Sequence, residues 1–474
     1  EAPQAVERLM KMSQYLDFWT AINEVGRRQF KSFMFTSDQI WGDPPDDIDQ
    51  AYCPLSMVGA GHAAWYANLP DLRRIFLEEA DSWRLATEST DKGKRAGVIP
   101  GEIKFSNSEI LPYMPYNKSN PVLKNRPPLY IGGGIYIITH LLHGASWLSG
   151  DDKYEAAMAL ADPTDEEKLA TAASTLSRYQ QEVVTPQDKT WSASQSEERL
   201  YNAWRITGDR VWLIEELQEV VRQQERTRWL ATEAEPYTDR VRWAGERLLC
   251  RTFLGETTAQ KSHVPGNWIS WEGGGTEFAG LVVDKERDHL KVLCYSFADA
   301  AREMKMRVWR MPHGRYHVAV GIDRDNDWTA DEIISEGERE LARFDAIEWS
   351  ALPATQYVIE VRPLEELDDI TSRPDLAMDP WDVRFADGAV TVTVHNIGGA
   401  ATSATTAQAL DAAGNVIGEA DVPALEAPLD LRPRTAEVRI AVAGEAQEGW
   451  CVSLDPTNVI AEITEVNNTM PVPR

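Results

Sequence analysis

The chain has 474 residues, 48 basic and 75 acidic, giving a formal net charge of −27. That length calls for about two or three domains, each able to bury a core, and the charge repels a phosphate backbone, so nucleic acid is not an expected partner. No apolar run of about 18 residues exists, so no membrane span is expected.

The first residues, "EAPQAVERLM", have neither a basic start nor an apolar core. They are expected to follow a removed leader or an excised upstream region. Residues 4–30 repeat apolar side chains at three- and four-residue spacing and predict a helix. Residues 71–89 do the same, with Asp71 as the expected N-cap. Further helices are expected at 133–148, 164–184, 195–206 and 209–231. Three joints between them share a pattern: "WLSGDDKY" (147–154), "WRITGDRVW" (204–212) and, more loosely, "WYANLPDLRRIF" (65–76). An aromatic in the last turn precedes a tight turn, and an Asp starts the next helix. Glycine supplies the left-handed exit in two of them, and the spacing of Asp151 and Asp209 suits one αα-hairpin per repeat. Stacked hairpins of this length resemble the α/α toroids of polysaccharide lyases and six-hairpin glycosidases. Residues 1–261 hold too few hairpins for a closed ring, so the expectation is an incomplete toroid or one lacking an N-terminal portion.

Near residue 262 the texture changes. "FAGLVVDKERDHLKVLCYSF", "MKMRVWRM", "GRYHVAVGID" and "TQYVIEVRPL" are rich in β-branched and aromatic residues between turn signals. Residues 262–365 predict an antiparallel β-sandwich. Residues 366–379 predict a linker, and 380–474 an all-β module. Within the latter, His395-Asn396 with Gly398 and Gly399, the "DAAGNVIG" hairpin (411–418), Val422 to Leu425, and the closing Asp455, Pro456, Asn458, Ile460, Glu462, Glu465, Asn467 and Asn468 resemble the CARDB family of Ig-like bacterial domains. The fold class expected for the whole chain is therefore multidomain α+β: an incomplete α/α-hairpin toroid, an antiparallel β-sandwich and a C-terminal Ig-like β-sandwich. The CARDB resemblance implies an extracellular, cell-surface or periplasmic location. It does not imply a chemistry.

Several segments carry residues suited to chemistry. "GIDRDNDWTADE" places Asp323, Asp325 and Asp327 at alternate positions with Asp331 beyond. Alternating carboxylates on a tight loop suit a hard cation such as calcium. The loop departs from the EF-hand pattern at Trp328, where glycine is usual, and at Ile334, where glutamate is. Two long insertions, 34–53 and 91–134, flank the early helices. The first holds Trp41. The second holds Tyr116, Asn117 and Arg126, the set a lyase needs to neutralise a uronate carboxylate and move its α-proton. Acidic residues in the same insertions would suit a hydrolase instead, and residue type does not decide between them. Glu235, Tyr237, Asp239 and Arg240 form a second sugar-contacting candidate, and Trp271 a third, at the junction with the β-sandwich. Seventeen tryptophans also suit stacking on sugar rings. There is no phosphate-binding glycine loop, G-x-S-x-G or H-E-x-x-H. The four cysteines (Cys53, Cys250, Cys294, Cys451) lack the spacing of a zinc site or disulfide framework.

The expected function is an exported carbohydrate-active protein of polysaccharide lyase or glycoside hydrolase type. The alternative is a non-catalytic surface or matrix adhesion protein. The expected partner is a polysaccharide or surface glycan, and the oligomeric state is left open.

Overall fold

The computed structural model describes residues 2–36, 47–111, 135–180, 199–232, 246–256, 262–285 and 289–473. The chain forms two compact units. One comprises Glu1–Ala161, Gln260–Val264 and Asp369–Arg474; the other comprises Asp162–Ala259 and Pro265–Asp368.

In the first unit, the helix predicted over 4–30 stops early. It is realised as Pro3–Ser13 and a single turn at Leu16–Trp19. The chain then makes a two-stranded antiparallel ribbon, Thr20–Ile22 with Arg28–Phe30. Turn chemistry overrides the apolar spacing here. The Asn23 side-chain oxygen Oδ1 accepts from the backbone N–H of Val25 (3.1 Å) and Arg27 (2.9 Å), and Gly26 adopts φ +78°. Pro70–Glu88 is the long helix of this unit, with Pro70 at its first position. Leu69 occupies the N-cap; Asp71 lies inside the first turn. Leu72, Ile75, Phe76, Ala80 and Trp83 form its buried stripe. A three-stranded sheet, Ile48–Gln50, Glu102–Lys104 and Ile110–Leu111, lies in the same unit.

The two glycine joints have the same local geometry. Gly150 and Gly208 both take φ +70°. Asp151 accepts from the N–H of Lys153 at 2.9 Å, and Asp209 from that of Val211 at 3.0 Å. Each Asp N–H in turn donates to the hydroxyl two residues back, Ser149 or Thr207. The glycine exits where a side chain would be strained, and the carboxylate satisfies a free N–H of the next helix.

In the second unit, helices Asp165–Gln180, Arg199–Thr207, Arg210–Thr232 and Glu246–Leu254 precede a β-sandwich. Its larger sheet orders the strands Glu332–Leu341, Gly314–Ile322, Thr355–Glu366, Leu290–Ser296 and Phe278–Lys285, all antiparallel. The smaller orders Ala346–Ala351, Arg302–Val308 and Ile269–Glu272. Alternate residues of both sheets, among them Val292, Val318, Ile359, Met304, Met306 and Ile347, meet in one core.

The C-terminal residues fold as a second sandwich. One sheet contains Leu376–Ala377, Ala389–Asn396, Val383–Ala386 and Thr435–Ala441; the other contains Val416–Val422, Thr405–Leu410, Cys451–Leu454 and Thr469–Pro471. In the "DAAGNVIG" hairpin, one Asp411 oxygen accepts from the N–H of Ala413 and of Asn415, both at 2.8 Å, and Gly414 takes φ +80°. Asn396 accepts from Gly398 N–H and donates to the Ala400 and Glu426 carbonyls, tying the Gly-Gly turn to a neighbouring loop. The stretch after Leu454 forms no second strand segment before Thr469. Asp455 and Asn458 take left-handed φ, and the Asp455 carboxylate accepts from Ile460 N–H at 2.8 Å. None of the four cysteines is joined in a disulfide among the described residues. No helix among the described residues is long and apolar enough to cross a membrane.

Candidate functional site

The connection between strands Gly314–Ile322 and Glu332–Leu341 gathers three carboxylates. Asp323, Asp325 and Asp327 each present an oxygen, and these atoms all lie within 4.8 Å of one another. The loop achieves this by backbone strain: Asn326 and Trp328 take φ +61° and +76°. Trp328 therefore adopts the left-handed turn for which glycine is the usual residue. Its N–H donates to one oxygen of Asp323 at 3.0 Å, and Gln356 donates to the same oxygen at 2.6 Å. The other Asp323 oxygen is buried and has no hydrogen-bond partner among the described residues. Asp325 and Asp327 are exposed. Hydrogen bonds from Thr329 hold the Asp327 carboxyl below its ordinary range. Asp331 is used differently: it accepts from Arg324 N–H at 2.6 Å and closes the loop.

The same loop is fastened to the helices of its unit. The Arg210 guanidinium donates to the carbonyls of Asn326 and Asp327, both at 2.6 Å, and lies 3.8 Å from the Trp328 ring centroid. Trp328 meets Trp204 edge-on at 6.3 Å and packs on the cluster of Tyr201, Trp204, Leu213, Val220 and Leu248.

Trp271 is half-buried. Its indole N–H donates to the Phe253 carbonyl at 2.9 Å, and its ring packs on Phe253, Phe278 and Trp349. Both the face and the polar tip of this tryptophan are engaged within the protein. Tyr116, Asn117, Arg126, Trp41, Glu235, Tyr237, Asp239 and Arg240 lie outside the described residues.

A chain of aromatic rings lies near the N-terminus. Tyr15 stacks on Trp19 at 5.7 Å and meets Phe18 at 6.4 Å; Trp19 meets Phe35 at 5.2 Å. Tyr15 and Phe18 are 50% and 56% exposed. Met12, Ile22, Val25 and Met34 add exposed apolar surface from the same segment. Exposed aromatics that touch one another are an uncommon use of surface and make this segment a candidate for recognition.

Sequence reasoning missed a buried acid pair. Asp49, on strand Ile48–Gln50, and Glu79, on helix Pro70–Glu88, are fully buried and in side-chain contact. Burial pushes the Asp49 carboxyl up to about 7, and burial together with the Asp49 charge pushes Glu79 well up. Trp83 Nε1 donates to Glu79 at 3.2 Å. Two carboxylates have no donor between them, so the pair is satisfied by holding a proton. The available signal was Glu79 itself, which falls on the apolar stripe of an amphipathic helix. Burial, and next the Asp49 charge, also raise the nearby Cys53 thiol, which makes it a poor nucleophile.

Residues 384–471 match the CARDB family model. The C-terminal sandwich is a CARDB domain. No curated protein sequence matches the chain. Among solved structures the chain is similar to β-glucuronidase from Ruminococcus gnavus. The form with uronic isofagomine is 10% identical over 36% of this chain and 35% of that one, with a TM-score of 0.14. The form with N1-substituted uronic isofagomine is 9% identical over 44% and 47%, with a TM-score of 0.16. The chain thus spans less than half the length of these enzymes, and likeness this slight carries no argument about fold or activity.

Proposed function

We propose that the protein acts outside the cell by engaging a polysaccharide, as a carbohydrate-active protein of lyase or glycosidase type built on an open array of helical hairpins. The observation that carries this reading is the ring chain of Tyr15, Phe18, Trp19 and Phe35, in which Tyr15, Phe18 and Phe35 are exposed and Trp19 is half-buried. Flat apolar rings stack on the apolar faces of sugars, and a row of them gives contact along a chain of sugar units. The CARDB domain supports the extracellular setting. In the lyase form of the proposal Tyr116 moves the proton while Asn117 and Arg126 neutralise the carboxylate.

The test has two parts. Retention on insoluble glycans is measured for the native chain and for Tyr15→Ala with Phe18→Ala, an exposed pair whose loss leaves the core intact. Weakening by about tenfold is expected for loss of two stacking rings; equal retention would remove the surface from the proposal. Unsaturated uronate absorbance and reducing-sugar release are then followed on anionic and neutral polysaccharides. Turnover abolished by Tyr116→Phe supports the lyase form. Retention without turnover on either panel supports the adhesion reading, which the CARDB domain favours.

A further inference from the structure

We propose that the loop joining strands Gly314–Ile322 and Glu332–Leu341 binds one calcium ion through Asp323, Asp325 and Asp327. Three oxygens within 4.8 Å of one another can face a single ion. Clustered acids on a surface are common, and the cluster alone would not identify a site. The deciding feature is Asp323. It is only 4% exposed, and one of its carboxylate oxygens is buried with no hydrogen-bond partner among the described residues. Its other oxygen is fixed by Trp328 N–H and Gln356, so the group is held rigidly with an unused lone-pair face. A buried unsatisfied carboxylate oxygen is costly, and a hard cation supplies the missing partner.

The structure also sets which groups take part. The Asp331 carboxylate lies outside the group of oxygens within 4.8 Å of one another, and the carbonyls of Asn326 and Asp327 are occupied by Arg210. The protein therefore offers three carboxylates, and water completes the six to eight oxygens that calcium takes. Missing the bidentate glutamate of a tight loop, and with Arg210 close by, the site belongs in the weak class, with Kd of about 10⁻⁴–10⁻³ M. That range matches calcium levels outside cells. Ligation would also hold the strained turn that seats Trp328 among the helices of its unit, so binding is linked to the stability of that unit.

The experiment uses the full chain. Terbium is titrated with excitation in the tryptophan band, calcium is added as competitor, and thermal melting is recorded with and without calcium. Saturable terbium emission, displaced by millimolar calcium, and a higher Tm in calcium are expected. Asp325→Asn with Asp327→Asn, both exposed, should weaken calcium binding by at least about tenfold while circular dichroism stays native. Asp331→Asn should bind within about twofold of the native chain, since that carboxylate serves the loop backbone. Absence of emission and of any Tm change, or native binding by the Asp325/Asp327 double variant, would overturn the proposal. Equal loss in Asp331→Asn would overturn the three-ligand assignment.

Discussion

His395 Nδ1 lies 2.7 Å from Glu7 Oε1, and its Nε2 lies 3.4 Å from Asp382 Oδ2. The imidazole, on a strand of the CARDB domain, thereby ties that domain to the first helix of the chain. Burial pulls its pKa down, but the hydrogen bond and charge of Glu7, reinforced by Asp382, raise it overall. A group with a raised folded pKa contributes its full stability below the unfolded value and loses it as pH rises through the folded one. Replacing His395 with Ala should therefore cost about 3 kcal/mol at pH 6, because it strands two carboxylates. The deficit should shrink toward pH 9, where the native imidazole is neutral as well. Urea unfolding of both proteins across that range checks this; a deficit independent of pH would show that the imidazolium charge contributes nothing.

The Asp49–Glu79 pair gives a prediction of the same sign from the opposite chemistry. Both acids are raised by burial, Asp49 to about 7. The neutral, proton-holding form stabilises the fold fully below the ordinary carboxylate range, and this contribution is lost as pH climbs through 7. Glu79→Gln removes one titrating acid and leaves an amide oxygen to accept from Trp83. The variant should gain on the order of 2 kcal/mol relative to the native chain at pH 8 and little at pH 4. Melting curves of the two proteins that run parallel from pH 4 to 9 would sink the shared-proton account.

How much of this was legible beforehand follows the range of the forces involved. The two Gly–Asp joints were readable because glycine, hydroxyl and carboxylate all act within four residues of one another. The "DAAGNVIG" hairpin was readable for the same reason, with Asp411 bonding its own turn. The break after Ser13 was missed because apolar spacing continues through Trp19, while the Asn23 turn that ends it is polar and short. The stretch 455–468 carries Val, Ile and Thr, residues that suit a strand, yet it forms none. Its conformation is set instead by distant partners: Leu376 N–H donates to Glu462, and Ile463 N–H to the Pro374 carbonyl. The acid trio of the hairpin tip was visible as alternation, but Asp331 was grouped with it on spacing alone. Spacing cannot show that its oxygens fall outside the cluster the other three carboxylates form. Glu79 was hidden because its partner, Asp49, lies on a strand brought to it only by tertiary packing.

Backbone proximity makes a sharper stability test than side-chain removal. Gly61, in helix Val58–Tyr66, has the carbonyl oxygen of His263 only 2.1 Å from where a β-carbon would sit. His263 is itself fully buried and bonded to the Pro54 carbonyl at 2.8 Å, so it has nowhere to yield. Gly61→Ala gains helix propensity of about 1 kcal/mol, yet overpacking against a fixed carbonyl should outweigh it, for a net loss of at least about 2 kcal/mol. A Tm equal to or above the native value would mean that the His263 segment moves freely.

Tyr66, at the end of that same helix, donates its hydroxyl to Asp375, and Asn467 donates to the other oxygen of that carboxylate at 3.3 Å. Burial pushes the Asp375 carboxyl up to about 7, and the Tyr66 and Asn467 bonds act against that rise. Tyr66→Phe removes the opposing phenol while keeping the ring. Stability should fall by about 1–2 kcal/mol at neutral pH, the cost of leaving a buried oxygen without its donor. The Asp375 pKa should rise further, so protonation relieves the loss at acid pH and the deficit grows as pH passes 7. Unfolding free energies at pH 5 and pH 8 give the two values. Equal deficits at pH 5 and pH 8 would mean that Asp375 keeps one protonation state across that range, and a larger deficit at pH 5 would reverse the predicted sign.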